Sequence, residues 1–98
     1  MEKNSILGKI EYMLSLAKNK SYNEKDLMCL KKYSKENSDN MVLGRFMGYS
    51  LSDYALATLY WIGTEETKMI FDDLFHKLQS DRQKDVRTLI QKELYLQL

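Results

Sequence analysis

The sequence predicts an all-α fold, a compact bundle of five to six helices, and three observations carry that expectation. Proline is absent and glycine occurs only four times in 98 residues, so the punctuation that sheets and long loops need is scarce. Apolar residues recur at helical spacing along most of the chain. The stretch from Asp53 to Gly63 carries no charge after its first residue. Projected at ~100° per residue, Ala55, Leu56, Leu59 and Ile62 fall on one face and Tyr54, Ala57, Tyr60 and Trp61 on the other, so this helix is apolar all round and has to be covered on two sides. It is the expected centre of the fold.

The elements follow in order. Ile6, Leu7, Ile10, Met13, Leu14 and Ala17 share one side of a first amphipathic helix over residues 5 to about 18, with Ser5 placed to cap it. Lys18 to Tyr22 make a polar connection. Asn23 then caps a second helix whose first turn carries Glu24 and Asp26, favourably placed against the helix dipole, and whose buried side is Leu27, Leu30 and Tyr33. The polar run Lys35 to Asn40 breaks the pattern. Met41, Val42, Leu43, Phe46 and Met47 predict a short third helix, weakened by Gly44 and Gly48. Two glycines four apart have the close-packing spacing of membrane helices, but Arg45 and the brevity of the run fit a closely approached helix of a soluble protein.

Ser50 or Ser52 is placed to cap the central helix, and Gly63 to end it by adopting the left-handed conformation that other residues resist. Thr64 caps the next helix, with Thr67, Ile70, Phe71, Leu74, Phe75 and Leu78 on its core side. Glu65, Met69, Asp72 and His76 lie opposite, and Asp73 at the edge. Ser80, with Gln83 three residues on, predicts a capping box for the last helix, which Val86, Leu89, Ile90 and Leu94 bury.

The length suits one domain, residues 1–98, able to bury a core without metal or disulfide staples, and 44% apolar with 30% charged residues is ordinary for a globular chain. The single cysteine, Cys29, cannot form an intramolecular disulfide, so nothing requires an oxidising compartment. Met-Glu-Lys-Asn-Ser at the start lacks an export leader and no apolar run approaches ~18 residues, so the expected location is the cytoplasm, with no membrane span. Net charge is +1 but uneven: eight lysines against five acids in residues 1–36, seven acids against three bases in 37–81, four bases against two acids in 82–98. The middle is acidic, which bears on the partners steered towards it.

Residues 53 to about 94 resemble HEAT-like helical repeats. The residues that carry this are an alanine-rich first helix, the turn Ile62-Gly63-Thr64-Glu65-Glu66, a second helix, and Asp85-Val86-Arg87 opening the next unit close to one repeat after Asp53. Small residues such as Ala55 and Ala57 let neighbouring helices approach, and the glycine permits a sharp turn between them. The resemblance covers under half the chain, lacks the proline of the first helix, and transfers no functional residues; it implies a short α-solenoid that presents a surface to another protein.

Few residues suggest chemistry. His76 is the only histidine, and Asp72 and Asp73 precede it on one helix, but no second histidine or cysteine cluster completes a metal site. Cys29, among Leu27, Met28 and Leu30, reads as a small half-buried residue; as a nucleophile it would need a base such as His76 beside it. Glu65 and Glu66 occupy the first turn of a helix, where negative charge is stabilising anyway. No phosphate-cradling glycine loop, serine elbow or HExxH pair occurs, so the expectation is a non-enzyme with no cofactor.

Lys25, Lys31, Lys32 and Lys35, with Tyr33 between them, are the densest basic stretch. The leading functional expectation is a small cytoplasmic inhibitor of the immunity-protein kind, which binds a toxin, such as a basic nuclease, and blocks its active site. Its contact surface is expected at Glu65, Met69, Asp72, Asp73 and His76, with Tyr60 and Trp61 as aromatic anchors. The alternatives are a nucleic-acid-associated regulator using the lysine-rich second helix and a phage or plasmid accessory inhibitor of a host protein.

Overall fold

The computed structural model describes residues 6–35, 45–46 and 49–97. Among them are helices α1 (Ile6–Asn19), α2 (Glu24–Ser34), α3 (Leu51–Ile62), α4 (Glu65–Phe75) and α5 (Ser80–Lys92), a 3₁₀ turn over Leu94–Gln97, and two short strands, β1 (Arg45–Phe46) and β2 (Tyr49–Ser50). The fold is an all-helical bundle arranged around α3.

Both ends of α3 are fixed by local chemistry. Ser50 Oγ accepts from the Asp53 amide at 3.3 Å and Asp53 Oδ2 accepts from the Ser50 amide at 3.1 Å, a reciprocal cap that satisfies two otherwise orphaned donors. At the other end Gly63 takes φ +73, and its amide donates to the Leu59 carbonyl. A side chain there would be strained, so glycine is the stop signal. Between the caps every residue except Tyr60 is buried, because α1, α2, α4 and α5 all pack against this one helix. The compact bundle expected is realised, and the turn over Leu94–Gln97 closes back on α1.

The other caps follow the sequence closely. Asn23 forms a full capping box with Asp26 at the start of α2, and Thr64 Oγ1 accepts from the Thr67 amide at 3.1 Å to open α4. Ser5 lies outside the described residues. Met13, Ala17 and Ile10 of α1, Leu27 and Leu30 of α2, and Val86 and Leu89 of α5 close the core around Leu56 and Leu59.

Three expectations are corrected. Phe46, assigned to a third helix, is in a strand: Arg45 pairs with Ser50 and Phe46 with Tyr49, antiparallel. Each glycine costs a helix roughly 1 kcal/mol, and the aromatic residues favour the extended pairing; positions 41–44 and 47–48 lie outside the described residues. The last helix has Gln79, not Ser80, at its N-cap, and no side chain caps it. Gln83 Nε2 instead donates to the Phe75 carbonyl at 3.1 Å, tying α5 to the end of α4. Leu94 is buried as expected, but beyond the helix, in the 3₁₀ turn, because Glu93 at φ +47 stops α5.

Candidate functional site

Two neighbours on α3 go in different directions. Trp61, expected as an aromatic anchor for a partner, is only 5% exposed. Its indole Nε1 donates to the Ile90 carbonyl at 3.0 Å and its ring lies 5.2 Å from that of Tyr95. Lys20 closes this corner, its Nζ donating to the Trp61 carbonyl at 2.7 Å while standing over the Tyr95 ring. Trp61 is therefore removed from the contact surface: it joins the ends of α1, α3 and α5, and its one polar group is satisfied internally. Tyr60 remains 44% exposed and sets its ring edge-on to Phe71 at 5.3 Å.

Helix α4 has three sides. Phe71 and Phe75 stack at 5.1 Å on the side facing the core, with the Arg87 guanidinium over Phe75. Glu65, Met69, Asp72 and His76 recur at helical spacing and are all exposed, as the periodicity predicts, with Met69 at 68%. Neither Glu65 nor Asp72 forms an ion pair among the described residues. His76 is held by its own helix, Nδ1 lying 2.7 Å from the Asp72 carbonyl oxygen. Asp73 belongs to a different side, where Lys77 Nζ meets its Oδ2 at 3.4 Å in an exposed pair. The outward stripe thus brings together Glu65, Met69, Asp72 and His76, with Tyr60 against the neighbouring Phe71; Asp73 flanks it and Trp61 does not belong to it.

The remaining candidates fall apart in space. Cys29 is half-buried beside Tyr12 of α1, while His76 sits at the end of α4 against Phe75. The Tyr12 hydroxyl donates to Asp26 Oδ1; burial first, and then this bond, push the phenol above its ordinary range. No group of three or more histidine, cysteine or acidic side chains among the described residues is arranged to hold a metal ion, and no helix among them is long and apolar enough to cross a membrane. Lys25, Lys31 and Lys32 of α2 and Lys35 at its end are exposed, but Tyr33 is half-buried with Lys9 Nζ 5.4 Å from its ring centre. The ring is not free as a stacking platform for a base.

One arrangement escaped the sequence. Asp53, fully buried, receives Arg82 of α5: Nη2 donates to Oδ1 at 2.9 Å and to Ser52 Oγ at 2.6 Å, and Nε reaches Oδ1 at 3.3 Å. The signal was the lone charge in an otherwise uncharged helix, which requires a cation partner once buried.

No known protein family, no curated protein and no solved structure matches this chain. The HEAT-like resemblance of residues 53–94 therefore rests on those residues alone.

Proposed function

We propose that the chain is a protein-binding inhibitor of the immunity-protein kind, which docks the outward face of α4 on a basic toxin and covers its active site. The observation behind this reading is the combination of Met69 and Tyr60, held out in solvent, with Glu65 and Asp72, which make no ion pair within the described fold. Apolar surface beside uncommitted like charge is the composition of an interface that is steered electrostatically and anchored by a few side chains. Tyr60 also packs on Phe71 and Glu65 lies in the first turn of α4, but neither use covers the exposed part of the ring or Met69, and this uncovered apolar area beside acids supports a partner surface.

The test is affinity purification of the tagged chain from its own host, followed by association kinetics with the co-eluting protein. Glu65→Lys with Asp72→Lys should slow association at least about tenfold at low ionic strength and flatten its salt dependence. The purified partner should be basic, toxic when expressed alone, and harmless with the wild-type chain. A partner that binds the double variant at the wild-type rate, or a nucleic acid in place of a protein, rejects the reading.

A further inference from the structure

Helices α2 and α4 both lie on α3 and run in the same direction. The Tyr22 hydroxyl, just ahead of α2, donates to Glu66 Oε1 at 2.8 Å at the start of α4, while Lys35, just past α2, lines one cleft with Leu74 and Lys77 at the end of α4. A groove runs between them. One section, about 330 Å³, has Lys31 and Lys35 on one wall, Met69 and Asp73 on the other, and Ile70 and Leu74 beneath. Past Lys35 and Leu74 it widens into a cleft of about 610 Å³, with Leu56 and Leu78 at its floor and Lys77 and Arg82 at its end.

The charge here is opposite to that of the outward face of α4. Lys77 is matched by Asp73 and Arg82 by Asp53. Lys31 and Lys35 stand one turn apart on the same side of α2, with no anionic partner among the described residues, and they repel each other. Met28, 67% exposed, occupies the same stripe of α2 by helical spacing, so an exposed methionine stands on each helix beside the groove. Methionines adapt to an incoming apolar surface more readily than branched side chains. A phosphate backbone would satisfy the lysines but leave the leucine floor uncovered. An amphipathic helix does both.

We propose that this groove receives an acidic amphipathic helix from a partner protein, with its apolar stripe on Ile70, Leu74 and Leu78 and its carboxylates against Lys31 and Lys35. The eleven residues of α2 give a wall ~16 Å long, enough for about three turns of a bound helix. The seated helix would lie over α3 and bring its carboxylates to two lysines that have no anionic partner among the described residues. This site shares Met69 with the outward face of α4 but is lined by neither Glu65 nor Asp72, so the two readings are tested by different variants.

The probe is a displayed library of random peptides of about 14 residues, roughly four helical turns, selected on the full chain. Enriched sequences should place Leu, Ile or Phe at i, i+3 or i+4, and i+7 with Asp or Glu between them, and the best synthetic peptide should gain helical circular dichroism when bound. Lys31→Glu with Lys35→Glu, both exposed positions, should keep the wild-type melting curve and weaken that peptide at least about tenfold. Glu65→Lys with Asp72→Lys should leave its affinity within about twofold, since neither side chain lines the groove. Enrichment of basic or extended peptides, no enrichment, or unchanged affinity in the Lys31/Lys35 variant overturns the proposal. Loss of binding in the Glu65/Asp72 variant alone moves the site to the outward face and equally overturns it.

Discussion

Helices α3 and α4 are nearly equal in length, twelve and eleven residues, and are joined through Gly63 and Thr64, yet their side chains are employed differently. On α3 each side chain except that of Tyr60 is enclosed by the rest of the fold, and even its one charge is answered by Arg82. On α4 only Thr67, Phe71 and Phe75 are buried. A stripe containing an acid, a methionine, another acid and a histidine is left to solvent. The lesson is that stability is concentrated in one helix, which frees its neighbour to carry surface chemistry. Substitutions that distinguish these roles should range from loss of the fold to no effect.

The largest effect is expected at Leu59, which is fully buried at the centre of α3. Leu59→Asp places an unpaired carboxylate in an apolar core at a cost of several kcal/mol, against a total stability for such a domain of about 5–15 kcal/mol. The variant should be unfolded or insoluble, judged by circular dichroism and size exclusion. Met69→Asp makes a similar chemical change on α4 and should leave the melting curve in place; equal damage from both would erase the distinction between the helices.

Next comes the ion pair that joins α3 to α5. Arg82→Ala leaves the buried Asp53 with only its cap to the Ser50 amide, and removing one partner of a buried pair typically costs about 3–5 kcal/mol. Urea unfolding of Arg82→Ala, Asp53→Asn and the double variant measures the coupling. The double variant should be more stable than Arg82→Ala alone, because asparagine buries no charge and still accepts from Ser50. If it is less stable, the loss lies in Arg82's packing and not in an orphaned carboxylate.

How far these roles were legible depended on how local their causes are. The central position of α3 was readable because a helix apolar on both faces has only one kind of place to go, and Asn23, Ser50, Gly63 and Thr64 act on their own neighbours within three or four residues. The outward stripe of α4 was readable for the same reason, since helical periodicity alone separates Glu65, Met69, Asp72 and His76 from Phe71 and Phe75. Arg82 as the partner of Asp53 was not, because 29 positions separate them and only the packing of α5 brings them together. Tyr60 and Trp61 shared one face in projection, yet the 3₁₀ turn covers one and leaves the other open. The strand at Phe46 was not legible, because a short apolar run between glycines fits either period. The groove between α2 and α4 had no sequence signal beyond Lys31 and Lys35, since a groove is a property of two helices placed on a third.

A pH titration probes the enclosure of α3 without mutation. Burial, with smaller contributions from Tyr49 and Asp53, pushes the Tyr54 phenol up from 10.0 to about 12. The folded chain therefore keeps a proton that the unfolded chain releases. This contribution is complete below pH 10 and is lost as pH rises towards 12, by roughly 2–3 kcal/mol for two units. Tyr12 and Tyr49 are shifted in the same direction, also chiefly by burial. The melting temperature should fall steeply between pH 10 and 12, with a shallower fall in Tyr54→Phe. A flat profile over that range would mean that the core admits a tyrosinate, contrary to an enclosed α3.

The smallest effect on stability is expected where the effect on binding should be largest. Asp72 is exposed on α4 and engages no cation among the described residues, so Asp72→Lys removes no ion pair. Surface changes of this kind stay within about 0.5 kcal/mol, and the same bound applies to Glu65→Lys. Glu65 lies in the first turn of α4, where the helix dipole favours negative charge, and Asp72 in the last turn, where it does not, so Glu65→Lys should be the variant that shows a loss, a few tenths of a kcal/mol at low salt. Differential scanning calorimetry of the single variants at two ionic strengths resolves that ordering. If Asp72→Lys instead lowers stability by more than about 1 kcal/mol, the carboxylate has structural work in the fold, α4 loses its contrast with α3, and the outward stripe no longer needs a partner to explain it.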